Sequence, residues 1–292
     1  MSTVADKKTD RQKSDVMLHY LRPAKKFPNV WCPGCGIGVV MGAFIRAVDK
    51  LGWDKNEVVM VSGIGCSSRM PVYMDFNSLH TTHGRALPFA TGVKFAKPNM
   101  KVVVITGDGD ALAIGGNHFI HAARRNMDLK IICVNNFNYA MTGGQVAATT
   151  PLDANASTAP YGNFEFPFSL PYLAEAAGAT YVARWTALHL RRVTKSIQEA
   201  MAKPGFSLIE VITPCVTLYA RRNRLGDGLN LLRYYYDNSV IEHGADTRTL
   251  DISYQGKLVC GKFVDKEKPT FLDAMEEHMT KILGDKYVKY GE

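Results

Sequence analysis

Two stretches decide how this chain folds: Val102-Val103-Val104-Ile105-Thr106-Gly107-Asp108-Gly109-Asp110 and Ile131-Ile132-Cys133-Val134-Asn135-Asn136-Phe137-Asn138. Each is a short apolar run, rich in β-branched residues, that breaks off into polar residues, and 28 positions separate Asp108 from Asn136. That interval holds one helix and one strand, so the pattern predicts neighbouring parallel strands joined by a helical crossover. Both polar ends then emerge at the carboxyl edge of the sheet, where open α/β sheets bind ligands. A carboxylate and an amide oxygen are hard ligands suited to Mg²⁺, which usually also takes oxygens from a phosphate. Gly107 and Gly109 let the backbone approach a diphosphate closely.

Working outward, the periodicity predicts a helix over 37–51, a buried strand over 58–61 and a loop then helix over 80–97. Helices follow at 112–126, 170–177 and 186–202, the last with Thr186 as N-cap, and strands at 102–106, 130–135, 180–183 and 207–212. The fold class expected is α/β: a mostly parallel sheet with helices on both faces and an extended C-terminal arm. The expected divisions are a basic arm over 1–28, a main domain over 29–217, and an arm or cap over 218–292 with one helix near 270–283. The segment after Thr142-Gly143-Gly144-Gln145 is long and irregular up to Pro167, a length that in a compact domain usually signals function or a partner surface.

At 292 residues and 46 % hydrophobic, the chain can bury one large core. No apolar run reaches the roughly 18 residues of a membrane span, and the N-terminus is polar and charged, so no membrane insertion and a cytoplasmic location are expected. The net charge of +8 gathers partly in Lys7, Lys8, Arg11 and Lys13 and in Arg221, Arg222 and Arg224. No nucleic-acid-binding pattern accompanies it, which favours an acidic protein partner or an anionic substrate over nucleic acid.

Six cysteines in such a chain point to metal or redox chemistry before disulfides. Cys32 and Cys35 form Cys-x-x-Cys, Cys66 ends a strand within Gly63-Ile64-Gly65-Cys66-Ser67-Ser68, and Cys215 follows another strand. Thiolates converging from three segments suit Zn²⁺ or a [4Fe–4S] cluster, and single cysteines at turns beside a site favour the cluster over paired zinc knuckles. Cys133 lies in the middle of an apolar strand and reads as core, and Cys260 as a small apolar residue of the tail.

The Gly-Asp-Gly and Asn-Asn pair resembles the thiamine diphosphate fingerprint. In order, Cys-Pro-Gly-Cys-Gly (32–36), Gly-Ile-Gly-Cys-Ser-Ser-Arg (63–69), His-Gly-Arg-Ala-Leu-Pro (83–88), Gly-Asp-Gly-Asp (107–110) and Thr-Gly-Gly-Gln (142–145) resemble the β subunits of 2-oxoacid:ferredoxin oxidoreductases, over about residues 22–225. The resemblance implies a [4Fe–4S] cluster on Cys32, Cys35, Cys66 and Cys215. It implies Mg²⁺ on Asp108, Asn136 and the carbonyl of Asn138. It places thiamine diphosphate against Ile64, Gly65, Cys66, Ser67, Gly107, Gly109 and Asp110, with Ala140 and Met141 beneath the thiazolium. It further implies an α (or fused γα) subunit that completes the thiamine site and supplies its activating glutamate, ferredoxin as electron acceptor, CoA and a 2-oxoacid as substrates, and a dimer of αβ units.

Arg69 stands where some members have Lys, and Met141-Thr142-Gly143 where some have Leu-Thr-Lys, so the 2-oxoacid pocket is where this chain departs. Arg69 suits a substrate carboxylate, as a guanidinium keeps its charge when desolvated; with the positive net charge this favours 2-oxoglutarate over pyruvate. His83 is expected to face the diphosphate or the substrate. Non-oxidative thiamine chemistry and a zinc-stapled, non-catalytic scaffold are the competing readings; the four cysteines oppose the first and intact Asp108 and Asn136 the second.

Overall fold

The computed structural model describes residues 16–25 and 28–289. Its strands are β1 (Val58–Ser62), β2 (Asn77–His80), β3 (Lys101–Gly107), β4 (Lys130–Asn135), β5 (Tyr181–Thr186), β6 (Ser207–Ile212), β7 (Ser239–Ile241) and β8 (Leu258–Asp265), in the spatial order 2-1-3-4-6-5-8-7. From β2 to β5 every pairing is parallel, whereas β8 runs antiparallel to β5 and parallel to β7. The chain leaves β1 for β2 on one side and returns to lay β3 on the other. The carboxyl ends of β1 and β3 therefore flank a reversal of winding, the place where such sheets open a crevice.

Alternation within the strands builds two cores. Val103, Ile105, Ile132 and Val134 face one layer, with side chains of α1 (Ile37–Leu51) and α5 (Leu190–Ala202). Val102, Val104, Ile131 and Cys133 face the other, with α2 (Ala86–Ala96), α3 (Gly116–Arg124) and α4 (Leu170–Ala176). Burial on both faces explains why β3 and β4 read as unbroken apolar runs. The expected sandwich of helices about a mostly parallel sheet is present, with α6 (Gly228–Asn238) and α7 (Phe271–Leu283) beyond it.

Three local outcomes differ from the sequence pattern. Thr186 is not an N-cap: it ends β5, and α5 begins only at Leu190. All six residues of β5 are buried, and Arg184 is drawn inward by Glu210 of β6 (2.6 Å), so pairing extends the strand past the polar residues that resemble a cap. The single helix expected over 112–126 is instead a wide π-type turn, Gly109–Ile114, followed by α3. Such turns are frequent at functional sites. Where a weak pattern predicts an extended tail, residues 239–265 give β7 and β8, the latter covering the outer edge of β5.

Within 1–28, Tyr20 and Leu21 are buried in the core, Leu21 bridges Met74, and Arg22 Nε donates to the Met74 carbonyl (2.8 Å). Lys7, Lys8, Arg11 and Lys13 lie outside the described residues. No described helix is long and apolar enough to cross a membrane.

Candidate functional site

At the crevice, three strand ends contribute a wall each to a cleft with about 520 Å³ of empty space, part of it open to solvent. Ile64–Ser67 follow β1, Gly107–Asp110 close β3, and Asn136–Thr142 follow β4; His83 enters from the loop before α2. Asp108 is 2 % exposed. Its Oδ2 accepts from Thr149 Oγ1 (2.6 Å), yet burial still pushes its carboxyl up to about 6. Ionising it there without a cation is therefore costly. Asn136 is buried too, and its Oδ1 has no hydrogen-bond partner among the described residues. An orphaned amide oxygen beside a desolvated carboxylate is the chemistry a hard divalent ion satisfies.

Asn138 donates through Nδ2 to the Asn136 carbonyl (3.0 Å), which closes the turn on itself. Between them Phe137 takes φ +62°, an uncommon conformation for a non-glycine residue and of the kind found at functional sites.

Asp110 lines the cleft, but its carboxylate is committed inward. It accepts from Ile64 N (3.1 Å), His83 Nδ1 (2.6 Å), Gly84 N (2.8 Å) and Thr106 Oγ1 (2.7 Å). One buried side chain thus fixes the β1 turn and the His83 loop against β3. A Cβ on Gly63 would collide with this carboxylate, and one on Gly84, at φ +71°, would strike Ile114. With Nδ1 on Asp110, the His83 ring presents Nε2 as its remaining polar atom.

Ala140 and Met141 line the cleft with Tyr139, whose ring covers Gly109 closely enough to exclude any Cβ there. Thr142 closes the Thr-Gly-Gly-Gln turn: its Oγ1 lies 2.7 Å from Gln145 Oε1, and Gln145 Nε2 donates to its carbonyl (2.9 Å). Gly143 and Gly144, at φ +124° and +86°, supply the backbone that turn requires.

Cys32, Cys35, Cys66 and Cys215 line a second cavity, with about 750 Å³ of empty space that is partly open to solvent, and it shares Cys66, Asn136, Ala140 and Met141 with the first. Cys35 N donates to the Cys32 carbonyl (3.0 Å) in the Cys-x-x-Cys turn, and Trp31 Nε1 donates to the Cys66 carbonyl (2.8 Å), tying that turn to the β1 loop. Burial, reinforced by the neighbouring cysteines, pushes the Cys35 thiol up to about 12 and Cys66 to about 11. Among the described residues no three His, Cys, Asp or Glu side chains converge on a single ion. Cys133 and Cys260, both buried in strands, line neither cavity. Arg69 is exposed on the turn after Cys66 and also lines neither, though its charge acts on Cys66 and on His80.

Tyr139 and Trp31 line these cavities and Thr149 stands behind Asp108, and none of the three was singled out from the sequence. Tyr139 could have been found from its place between Asn138 and Ala140; Thr149 has no motif around it.

Residues 63–211 match the family described as thiamine pyrophosphate enzyme, C-terminal TPP binding domain. The chain is 47 % identical to a protein of Methanocaldococcus jannaschii named 2-oxoglutarate synthase subunit KorB, over 91 % of this chain and 97 % of that protein. A protein of the same name from Archaeoglobus fulgidus is 58 % identical over 68 % of this chain and 73 % of its own length. Among solved structures, a 2-oxoglutarate:ferredoxin oxidoreductase from Magnetococcus marinus, with 2-oxoglutarate, coenzyme A and succinyl-CoA bound, superposes with a TM-score of 0.81 at 31 % identity, covering 94 % of this chain and 93 % of that one. With a thiamine pyrophosphate-binding domain built on this sheet and relatives of that name along nearly its whole length, the chain belongs to the β subunits of the 2-oxoacid:ferredoxin oxidoreductases.

Proposed function

We propose that this β subunit oxidises 2-oxoglutarate, with CoA, to succinyl-CoA and CO₂, or runs the reverse carboxylation, with ferredoxin as the electron acceptor. The observation that carries the redox reading is the shared wall: Cys66, Asn136, Ala140 and Met141 belong at once to the diphosphate cleft and to the four-cysteine cavity. Bound there, thiamine diphosphate supplies a carbon that stabilises a carbanion, and a [4Fe–4S] cluster removes electrons singly.

The chain's own residues have distinct tasks. Asp108 and Asn136 Oδ1, with the Asn138 carbonyl, hold Mg²⁺ against the diphosphate. Ser67 and the backbone of Ile64–Cys66 and Gly107–Gly109 pack about the phosphates. His83, held by Asp110, turns Nε2 towards the diphosphate or substrate, and Ala140 and Met141 add apolar lining. Four cysteines that reach one cavity from three separate segments beside the cleft suit a cubane, in which each thiolate would bind a separate iron, better than the paired knuckles of structural zinc. Anaerobic purification followed by assay of iron, acid-labile sulfide and zinc tests this directly; zinc without sulfide would support the scaffold reading instead.

The choice of 2-oxoglutarate rests on the named relatives and on Arg69. At an exposed position, where solvent screens the charges, the carboxylate pair it would make is worth about 1 kcal/mol. Arg69→Met should therefore lower kcat/KM for 2-oxoglutarate by about fivefold. A loss confined to 2-oxoglutarate identifies the distal carboxylate; an equal loss with pyruvate identifies the α-carboxylate. Unchanged rates with both would remove Arg69 from the substrate site.

An α subunit completes the site. Among the described residues no glutamate lines the cleft, and Tyr161, Phe164 and Phe166 project from the 142–167 segment at 101, 81 and 88 % exposure. Exposed aromatic clusters of this kind are interface material. The isolated chain should show no turnover with 2-oxoglutarate, CoA and ferredoxin, and adding the α subunit should restore it; full activity of the chain alone would contradict this. A dimer of αβ units is the assembly the family implies, and sedimentation of the reconstituted complex tests it.

A further inference from the structure

Behind the cleft, a file of buried polar groups runs from the centre of the sheet to Asp108. Arg184 of β5 and Glu210 of β6 pair through Nε and Oε2 at 2.6 Å, with side chains 1 and 0 % exposed. Glu210 Oε1 accepts from Asn135 Nδ2 at 2.7 Å. That bond decides which way round the Asn135 amide lies: its Oδ1 faces forward, accepts from Phe137 N (3.1 Å) and sits 3.0 Å from Thr149 Oγ1. The Thr149 hydroxyl lies nearer still to Asp108 Oδ2, at 2.6 Å. A buried ion pair adds little net stability over a well-packed apolar pair, so stability alone does not account for Arg184 and Glu210 here.

We propose that Glu210 and Asn135 are positioning residues of the divalent-cation site. Glu210, its charge balanced by Arg184, orients the Asn135 amide. Asn135 in turn fixes the Phe137 turn that carries Asn136 and places the hydroxyl that aims Asp108. This rests on the reading that Asp108 and Asn136 hold Mg²⁺. Partners in the shell behind metal ligands commonly change metal affinity ten- to a hundredfold when replaced.

The test is a Mg²⁺ titration of the metal-stripped complete complex, at fixed thiamine diphosphate, reading cofactor binding by calorimetry rather than turnover. Glu210→Gln should raise the Mg²⁺ midpoint by about ten- to a hundredfold, with the iron content unchanged. Thr149→Val should do the same, and the double variant should be no worse than the poorer single one, because both act through one file of bonds. If Glu210→Gln does not fold, the Arg184→Met/Glu210→Met pair, which leaves no buried charge, is measured in its place with the same expected shift. A folded variant with a lower melting temperature but an unchanged midpoint, or effects that multiply in the double variant, overturns the proposal. Asp108→Ala is the control: a midpoint unmoved there means the cation assignment itself has failed, whereas a shift there without one in the Glu210 variants removes only the positioning role.

Discussion

Replacing Asp108 by alanine should stop turnover while leaving the protein folded and its iron in place. Asp108 is buried at the end of β3, where no water can take over the carboxylate without entering the cleft. Losing that ligand removes several kcal/mol of charge stabilisation at the cation; ~4 kcal/mol corresponds to about a thousandfold in kcat/KM. Asp108→Asn keeps an oxygen ligand without the charge, so raised Mg²⁺ should recover part of the activity. Equilibrium dialysis of thiamine diphosphate, run beside the assay, separates the causes. Normal cofactor affinity in Asp108→Ala would end the assignment of this carboxylate to the metal.

The second large effect is expected at the cysteines. Serine at position 32, 35, 66 or 215 should eliminate iron and acid-labile sulfide together, and with them reduction of ferredoxin, because a neutral hydroxyl does not replace the thiolate that would bind each iron. Thiamine diphosphate should still bind, since of the four only Cys66 also lines its cleft. Cys133→Ala and Cys260→Ala should keep full iron, both residues being buried in strands outside the cavity. Cys215→Ser with an intact visible spectrum would refute the four-cysteine assignment.

The sequence was most legible where chemistry sits at strand ends. Gly107-Asp108-Gly109 and Asn135-Asn136 could be read because an apolar run that stops abruptly shows both the strand and the edge at which its polar residues appear. The cysteines could be grouped for the same reason, each following a turn or a strand at that edge. Contacts across long separations left no trace. Thr149 reaches Asp108 over 41 positions and Trp31 reaches Cys66 over 35, with nothing local to mark either. Arg184 looks like the polar end of a strand, and only the presence of Glu210 across the sheet makes it one of the largest fully buried side chains. The tail strands were hidden by their form: β7 has three residues, and Gly261-Lys262 interrupts the apolar alternation of β8.

The order in which a ribosome makes these strands differs from the order in which they lie side by side. β5 and β6 are complete once residue 212 has emerged, but β8, the outer neighbour of β5, is complete only at Asp265. Until then β5 presents a row of unpaired amides, and the Arg184 guanidinium lacks the Leu250 carbonyl that later receives its Nη1 (2.7 Å). An open strand edge on a newly made chain is a template for pairing with the wrong neighbour. Nascent chains that stall between residues 213 and 257 keep that edge open, and it is there that misassembly during synthesis should concentrate.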